Sequence, residues 1–116
     1  MRKSLFKVQK VWSHQSTVYL LIIEFVDVIL PNEKVILCRK KYDELFVLKL
    51  GKEVRFDLLN NTVNLGREVS ISLGDFIELN WANLDFISEF TDEKKTRFLT
   101  YSPKGNLLTV DCIIRC

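Results

Sequence analysis

Apolar and polar residues alternate along several short stretches of this chain, and the clearest pattern occurs twice. Leu-Gly-Lys-Glu-Val-Arg-Phe-Asp-Leu at 50–58 returns as Leu-Gly-Arg-Glu-Val-Ser-Ile-Ser-Leu at 65–73. In each copy a glycine breaks the chain, and apolar residues then fall on every second position, the period of a half-buried strand. Val54, Phe56 and Leu58 are therefore expected to face a core, as are Val69, Ile71 and Leu73. Asn60-Asn61 joins the two copies, with a brief strand over Val63 to Leu65. Gly74-Asp75 predicts a tight turn into Phe76-Ile77-Glu78-Leu79, so residues 53–79 read as a meander of short antiparallel strands.

Upstream, Phe6 and Val8 alternate with Lys7 and Gln9, which predicts a strand over Leu5 to Trp12, followed by a polar turn at Ser13-His14-Gln15-Ser16. Thr17 to Leu30 is apolar on both alternate sets of positions and half of it is β-branched, favouring a long central strand over a helix. Pro31-Asn32 then supplies a turn, and Lys34 to Cys38 returns as the second arm of a hairpin.

Two segments change period. Over Arg39 to Leu50, Tyr42, Leu45, Phe46 and Lys49 recur at helical spacing, and Gly51 stands where helices often close, which predicts a short helix. Asn80 is placed to cap a second helix, in which Trp81, Leu84, Ile87 and Phe90 form an apolar stripe opposite Asp85, Glu89 and Asp92. Ser-Pro-Lys-Gly-Asn at 102–106 separates Arg97–Tyr101 from Leu107–Ile114, the mark of a C-terminal hairpin. The expectation is an α+β fold: an antiparallel β-sheet or small partly open barrel, one short helix between strands, and one amphipathic helix before a C-terminal hairpin.

The 116 residues suit one globular domain, residues 1–116, able to bury roughly two thirds of its unfolded surface. The composition, 47% hydrophobic and 28% charged, sets disorder aside. Lys7 and Lys10 interrupt the place where a signal peptide carries its apolar run, and Thr17 to Leu30 is too short and too acidic to cross a bilayer. With three cysteines, Cys38, Cys112 and Cys116, and no Cys-x-x-Cys pair, the reading is a cytoplasmic protein without a disulfide framework. No glycine belongs to a phosphate-cradling motif, and no cofactor is implied.

Charge is segregated along the chain. The net of +2 divides into +5 over residues 1–52 (ten basic, five acidic), −7 over 53–93 (two basic, nine acidic) and +4 over 94–116 (five basic, one acidic). Reactive groups are few. His14 beside Ser13 and Ser16 has no nucleophile-elbow pattern around it and reads as an exposed turn residue. A zinc site would need Cys38, Cys112, Cys116, His14 and carboxylates to converge without short-range ligand spacing. Glu24 and Asp27, inside an apolar strand, offer an acid or base, or else a strand end beyond the core or a pair met by Lys or Arg across the sheet.

Two surfaces remain as binding candidates. Asp85, Glu89, Asp92 and Glu93 on a rigid helix could cover a basic partner, as an immunity protein or antitoxin covers a toxin or nuclease, or else form a solvated helix face. Arg39, Lys40, Lys41 and Tyr42, with Arg55 and with stacking from Trp12, Tyr19 or Phe56, could hold a single strand of nucleic acid on an OB-like barrel. Otherwise that basic run is the solvated first turn of a helix. The sequence thus favours a non-catalytic protein that binds another protein, with nucleic-acid binding as the alternative and an edge-strand homodimer as a further possibility.

Overall fold

Extended strands make up most of the described residues. The computed structural model describes residues 2–41, 44–50, 54–60, 62–65, 69–88, 96–101 and 112–114. β1 (Lys3–His14) and β2 (Thr17–Ile29) form a long antiparallel ribbon in which Phe6, Val8, Val11, Val18, Leu20 and Ile22 are buried on one face. Gln15 and Ser16 close this ribbon with φ values of 50° and 64°, the left-handed pair of a tight hairpin turn. β3 (Val35–Arg39) folds back on the far end of β2 through a turn at 31–34, held by Leu30 N donating to the Lys34 carbonyl at 2.9 Å.

β4 (Leu45–Lys49) pairs with the near end of β2. The eight-stranded sheet is completed by β8 (Phe76–Asn80), β9 (Leu84–Ser88), β10 (Thr96–Tyr101) and β11 (Cys112–Ile114), in the order β11-β8-β1-β2-β4-β10-β9 with β3 beside β2. It curls into a half-barrel. β5 (Val54–Asp57), β6 (Thr62–Leu65) and β7 (Val69–Ser72) form a separate three-stranded antiparallel sheet. Val63 and Ile71 of this small sheet share one core with Phe6, Phe46, Ile77, Leu79 and Leu99 of the large one, and Val54 and Phe56 pack against it.

The α+β expectation is overturned: among the described residues the one helical element is a three-residue 3-10 turn, Trp81–Asn83. The short helix expected over Arg39 to Leu50 gives way to the end of β3 and to β4. Phe46, Val47 and Leu48 are all buried, because β4 lies inside the sheet with both faces covered, and such a strand shows no two-residue period to read. The amphipathic helix is also absent. Asn80 does cap, its side chain accepting from Ala82 N at 2.9 Å, but the turn stops at Asn83 and the chain extends as β9 alongside β10. Sheet pairing satisfies that backbone in place of a helix.

The C-terminal hairpin is replaced as well. β10 runs parallel to β4 and antiparallel to β9, while β11 adds to β8. The meander holds for β5–β7, whereas β8 departs to the large sheet across a turn in which Gly74 adopts φ 88° and Asp75 N donates to the Ser72 carbonyl at 3.1 Å. Leu58 and Leu73, expected in the core, are exposed in the turns that follow β5 and β7. Among the described residues no helix is long and apolar enough to cross a membrane.

Candidate functional site

The two faces of the large sheet carry different chemistry. On the core face, the even-numbered positions of β2 continue from Ile22 to Glu24, which places a carboxylate at the end of the core. The indole N–H of Trp81 donates to Ser4 Oγ at 2.7 Å, and Ser4 donates on to Glu24 Oε2 at 2.9 Å. Lys40 Nζ reaches the same oxygen at 3.3 Å. Arg2 lies over the Trp81 ring, 4.6 Å from its centroid, and Phe6 and Phe46 meet that ring edge-on. The arrangement ties β1, β2, the 3-10 turn before β9 and the segment after β3 together and gives the buried carboxylate a hydroxyl donor and a cation.

Glu24 is thus met by a lysine from the neighbouring segment, one of the structural readings its sequence position allowed. Asp27 is exposed and lies on the other face of β2, so the two carboxylates do not converge. His14 sits at the exposed end of β1. Among the described residues no three His, Cys, Asp or Glu side chains cluster as metal ligands would.

The proposed basic surface is largely spoken for within the chain. Lys40 pairs with Glu24, and Lys41 Nζ lies 3.6 Å from Glu44 Oε2. Arg39 is half-buried at the end of β3, Arg55 is exposed on β5 in the other sheet, and Tyr42 lies outside the described residues. The run does not open a helix, so its lysines are not a solvated helical turn. Of the acidic set, Asp85 is exposed on β9, while Glu89, Asp92 and Glu93 lie outside the described residues. The helix that was to present them together does not form.

A different grouping emerges on the face turned away from the core. Between Val8 and Lys10 the β1–β2 register shifts, so that Val8 pairs with Ile22 and Lys10 with Leu21. Gln9 is the extra residue of this bulge, and the backbone of Val8 is held on its other side by Gly74 N and the Asp75 carbonyl, both at 2.8 Å. Without the bulge, Lys7 and Lys10 would point to opposite faces. With it, Lys7, Lys10 and Trp12 share one face.

Trp12 pairs with Tyr19 across the ribbon, and their rings stack at 5.6 Å with 16° between planes. Lys10 Nζ stands 5.6 Å from the Trp12 centroid. Tyr19 in turn pairs with Lys49 of β4, whose side chain is exposed on the same face. Among the described residues no carboxylate lies in ion-pair distance of Lys7, Lys10 or Lys49. Asp85 occupies the same cross-sheet row, two strands beyond Lys49 through Thr100. The middle of this face, at Ile23, Val47 and Phe76, is buried, so the exposed part is the end near the β1–β2 turn.

Of the residues named for nucleic acid, only Trp12 belongs to this group, with Tyr19 beside it as a stacking candidate. Lys10 and Lys49 carry no sequence signal, because a bulge and a strand pairing bring them there. The chain matches no family model, no curated protein and no solved structure.

Proposed function

We propose that this chain is a non-catalytic binding protein that holds single-stranded nucleic acid on the exposed end of its large sheet. The observation that carries this reading is the Trp12–Tyr19 stack flanked by Lys10 and Lys49 on one face. An aromatic face accepts any base, and lysines beside it hold the phosphates on either side, the division of labour of single-strand binding sheets. A strand of nucleic acid crossing this surface would stack a base on Trp12 and pass its backbone over Lys10 and Lys49, with Lys7 next along β1. Stacking on an aromatic side chain needs an unpaired, splayed base, so the reading favours single strands.

A protein partner bound through Asp85, Glu89, Asp92 and Glu93 would not meet them on the amphipathic helix expected to present them, and the last three lie outside the described residues.

Fluorescence anisotropy with a labelled oligonucleotide of about ten thymidines tests the proposal, about ten nucleotides being within the site sizes of such sheets. Binding is expected to weaken steeply between about 50 and 200 mM salt. Trp12→Ala should cost about 1–3 kcal/mol of binding free energy with the salt slope unchanged. Lys10→Ala with Lys49→Ala should instead flatten the slope by about one to two. Absence of binding at the low end of that salt range, or equal losses for single strand and duplex in both variants, would overturn the reading.

A further inference from the structure

The hairpin formed by the far end of β2 and by β3 projects beyond the rest of the sheet, and its apolar side chains are not covered. Ile29 is 72% exposed, Val35 55% and Leu37 44%. Ile29 sits directly opposite Val35, and Asp27 opposite Leu37, so all of these share one face. Val28 and Ile36, also directly opposed, lie on the other face and are half-buried. Among the described residues β3 pairs with β2 alone, and none of them meets the backbone N–H and C=O groups of its outer edge. An open apolar edge is a template for another strand.

We infer that a second copy of this chain fills it, β3 adding antiparallel to β3 about a two-fold axis at Ile36. The sequence of the strand selects this occupant and this register. Centred on Ile36, Val35 stands opposite the partner's Leu37, and the row across four strands reads Ile29, Val35, then the partner's Leu37 and the partner's Asp27. The adjacent row on the opposite face reads Val28, Ile36, the partner's Ile36 and the partner's Val28, apolar throughout. A shift to a centre on Leu37 would set Val35 against the partner's Arg39, and Lys34 against the partner's Lys40, a like-charge opposition. An isologous pairing therefore sets Val35 and Leu37 of the edge strand beside apolar residues of the same kind, with Ile29 one strand further in.

The interface is small. One five-residue edge carrying the exposed Val35 and Leu37 falls short of the about 1,200 Å² at which stable interfaces begin. The dimer is accordingly weak, of the transient class that small interfaces populate. It is independent of nucleic acid, since Trp12 and Lys10 lie at the other end of the β1–β2 ribbon.

Sedimentation velocity of the chain alone, from about 10 μM to about 1 mM, tests the association in the weak range that so small an interface implies. The expected result is a concentration-dependent shift from monomer to dimer that Val35→Lys abolishes without altering the far-ultraviolet circular dichroism. Oxidative cross-linking tests the register. Ile36→Cys places two thiols directly opposite, within disulfide reach, whereas Leu37→Cys faces the partner's Val35. Ile36→Cys is expected to give a disulfide-linked dimer that neither Leu37→Cys nor the parent, with its native cysteines, gives. A parent that stays monomeric throughout overturns the self-association and leaves the hairpin to a different partner. Equal cross-linking of both variants overturns the register.

Discussion

Ser4 is a small residue with two obligations. Its oxygen accepts from Trp81 at 2.7 Å and its proton goes to Glu24 at 2.9 Å, so one hydroxyl joins a ring packed on Phe6 and Phe46 to a buried carboxylate. Ser4→Ala breaks both bonds, with the Glu24–Lys40 contact left to hold the carboxylate. The expected cost is about 1–3 kcal/mol, the range for stranding buried polar groups, measured by urea unfolding. Asp57 offers a contrast at the surface. Its carboxylate accepts from Asn60 Nδ2 at 2.7 Å, and from the backbone N–H groups of Leu59 at 3.1 Å and Asn60 at 3.3 Å. The Asn60 side-chain bond foremost holds the carboxyl below its ordinary value; desolvation, the next largest effect, opposes it, and the backbone bonds from Asn60 and Leu59 add to the lowering. A depressed folded-state pKa adds stability above the unfolded value and loses it as pH falls through the folded one. The stability difference between the parent and Asp57→Ala should therefore be present at neutral pH and shrink below about pH 4. Paired urea titrations at neutral and acid pH read it, and a pH-independent difference would mean that Asp57 does not act through its charge.

The β1–β2 ribbon shows how an element can be sound in register and strained at its turn. Gln15 and Ser16 both adopt positive φ, at 50° and 64°, a region that Asn and Gly enter far more readily. The His14–Thr17 pairing fixes the turn at two residues, and the twist of the ribbon demands this conformation. Gln15→Asn with Ser16→Gly should raise stability by about 1 kcal/mol, after the greater entropy of an unfolded glycine offsets part of the relief. Thermal unfolding would show it as a Tm higher by a few degrees; an unchanged or lower Tm would place the strain elsewhere. The same ribbon carries the Gln9 bulge. One extra residue there decides which face receives Lys10 and Trp12, and hence whether an aromatic and basic surface exists at all.

Across the molecule, the two sheets are joined by side chains. Val63 and Ile71 of the small sheet are fully buried in the cluster that includes Phe6, Leu20, Ile77 and Leu99 of the large one. Ile71→Ala removes buried carbon from the place where the sheets meet and should cost about 2–5 kcal/mol. Because that core is shared, both sheets should still melt in a single transition, with fluorescence of Trp12 on the large sheet and of Trp81 in the turn joining β8 to β9, and amide exchange in β5–β7, reporting the same midpoint. Two separated midpoints would show that the sheets fold independently. The charge segregation along the sequence is likewise rearranged in space: Lys49 and Asp85, from oppositely charged thirds of the chain, fall in one row of the sheet two strands apart.

The sequence alone determined the elements whose two faces see different surroundings. β1 and the repeated strands β5 and β7 alternate because one side meets the core and the other does not, whereas β8, with Phe76 and Ile77 buried on opposite faces, was marked by the Gly74-Asp75 turn before its apolar run. The turns at Gln15-Ser16, Pro31-Asn32 and Gly74-Asp75 are marked by residues suited to them or by polarity between apolar runs. β2 was legible from its length and β-branching. Tertiary structure decided the rest. β4 is covered on both faces, so its apolar run has no period, and the spacing of Leu45, Phe46 and Lys49 imitates a helix. The stripe of Trp81 and Leu84 imitates one too, but the backbone of β9 finds its hydrogen bonds in β10, a partner beyond the reach of local pattern. The parallel pairing of β10 with β4 and the meeting of Trp12, Tyr19, Lys10 and Lys49 belong to that same class. Local periodicity reports which side of a strand is buried, whereas neighbours across a sheet are chosen by contacts between residues far apart in the chain.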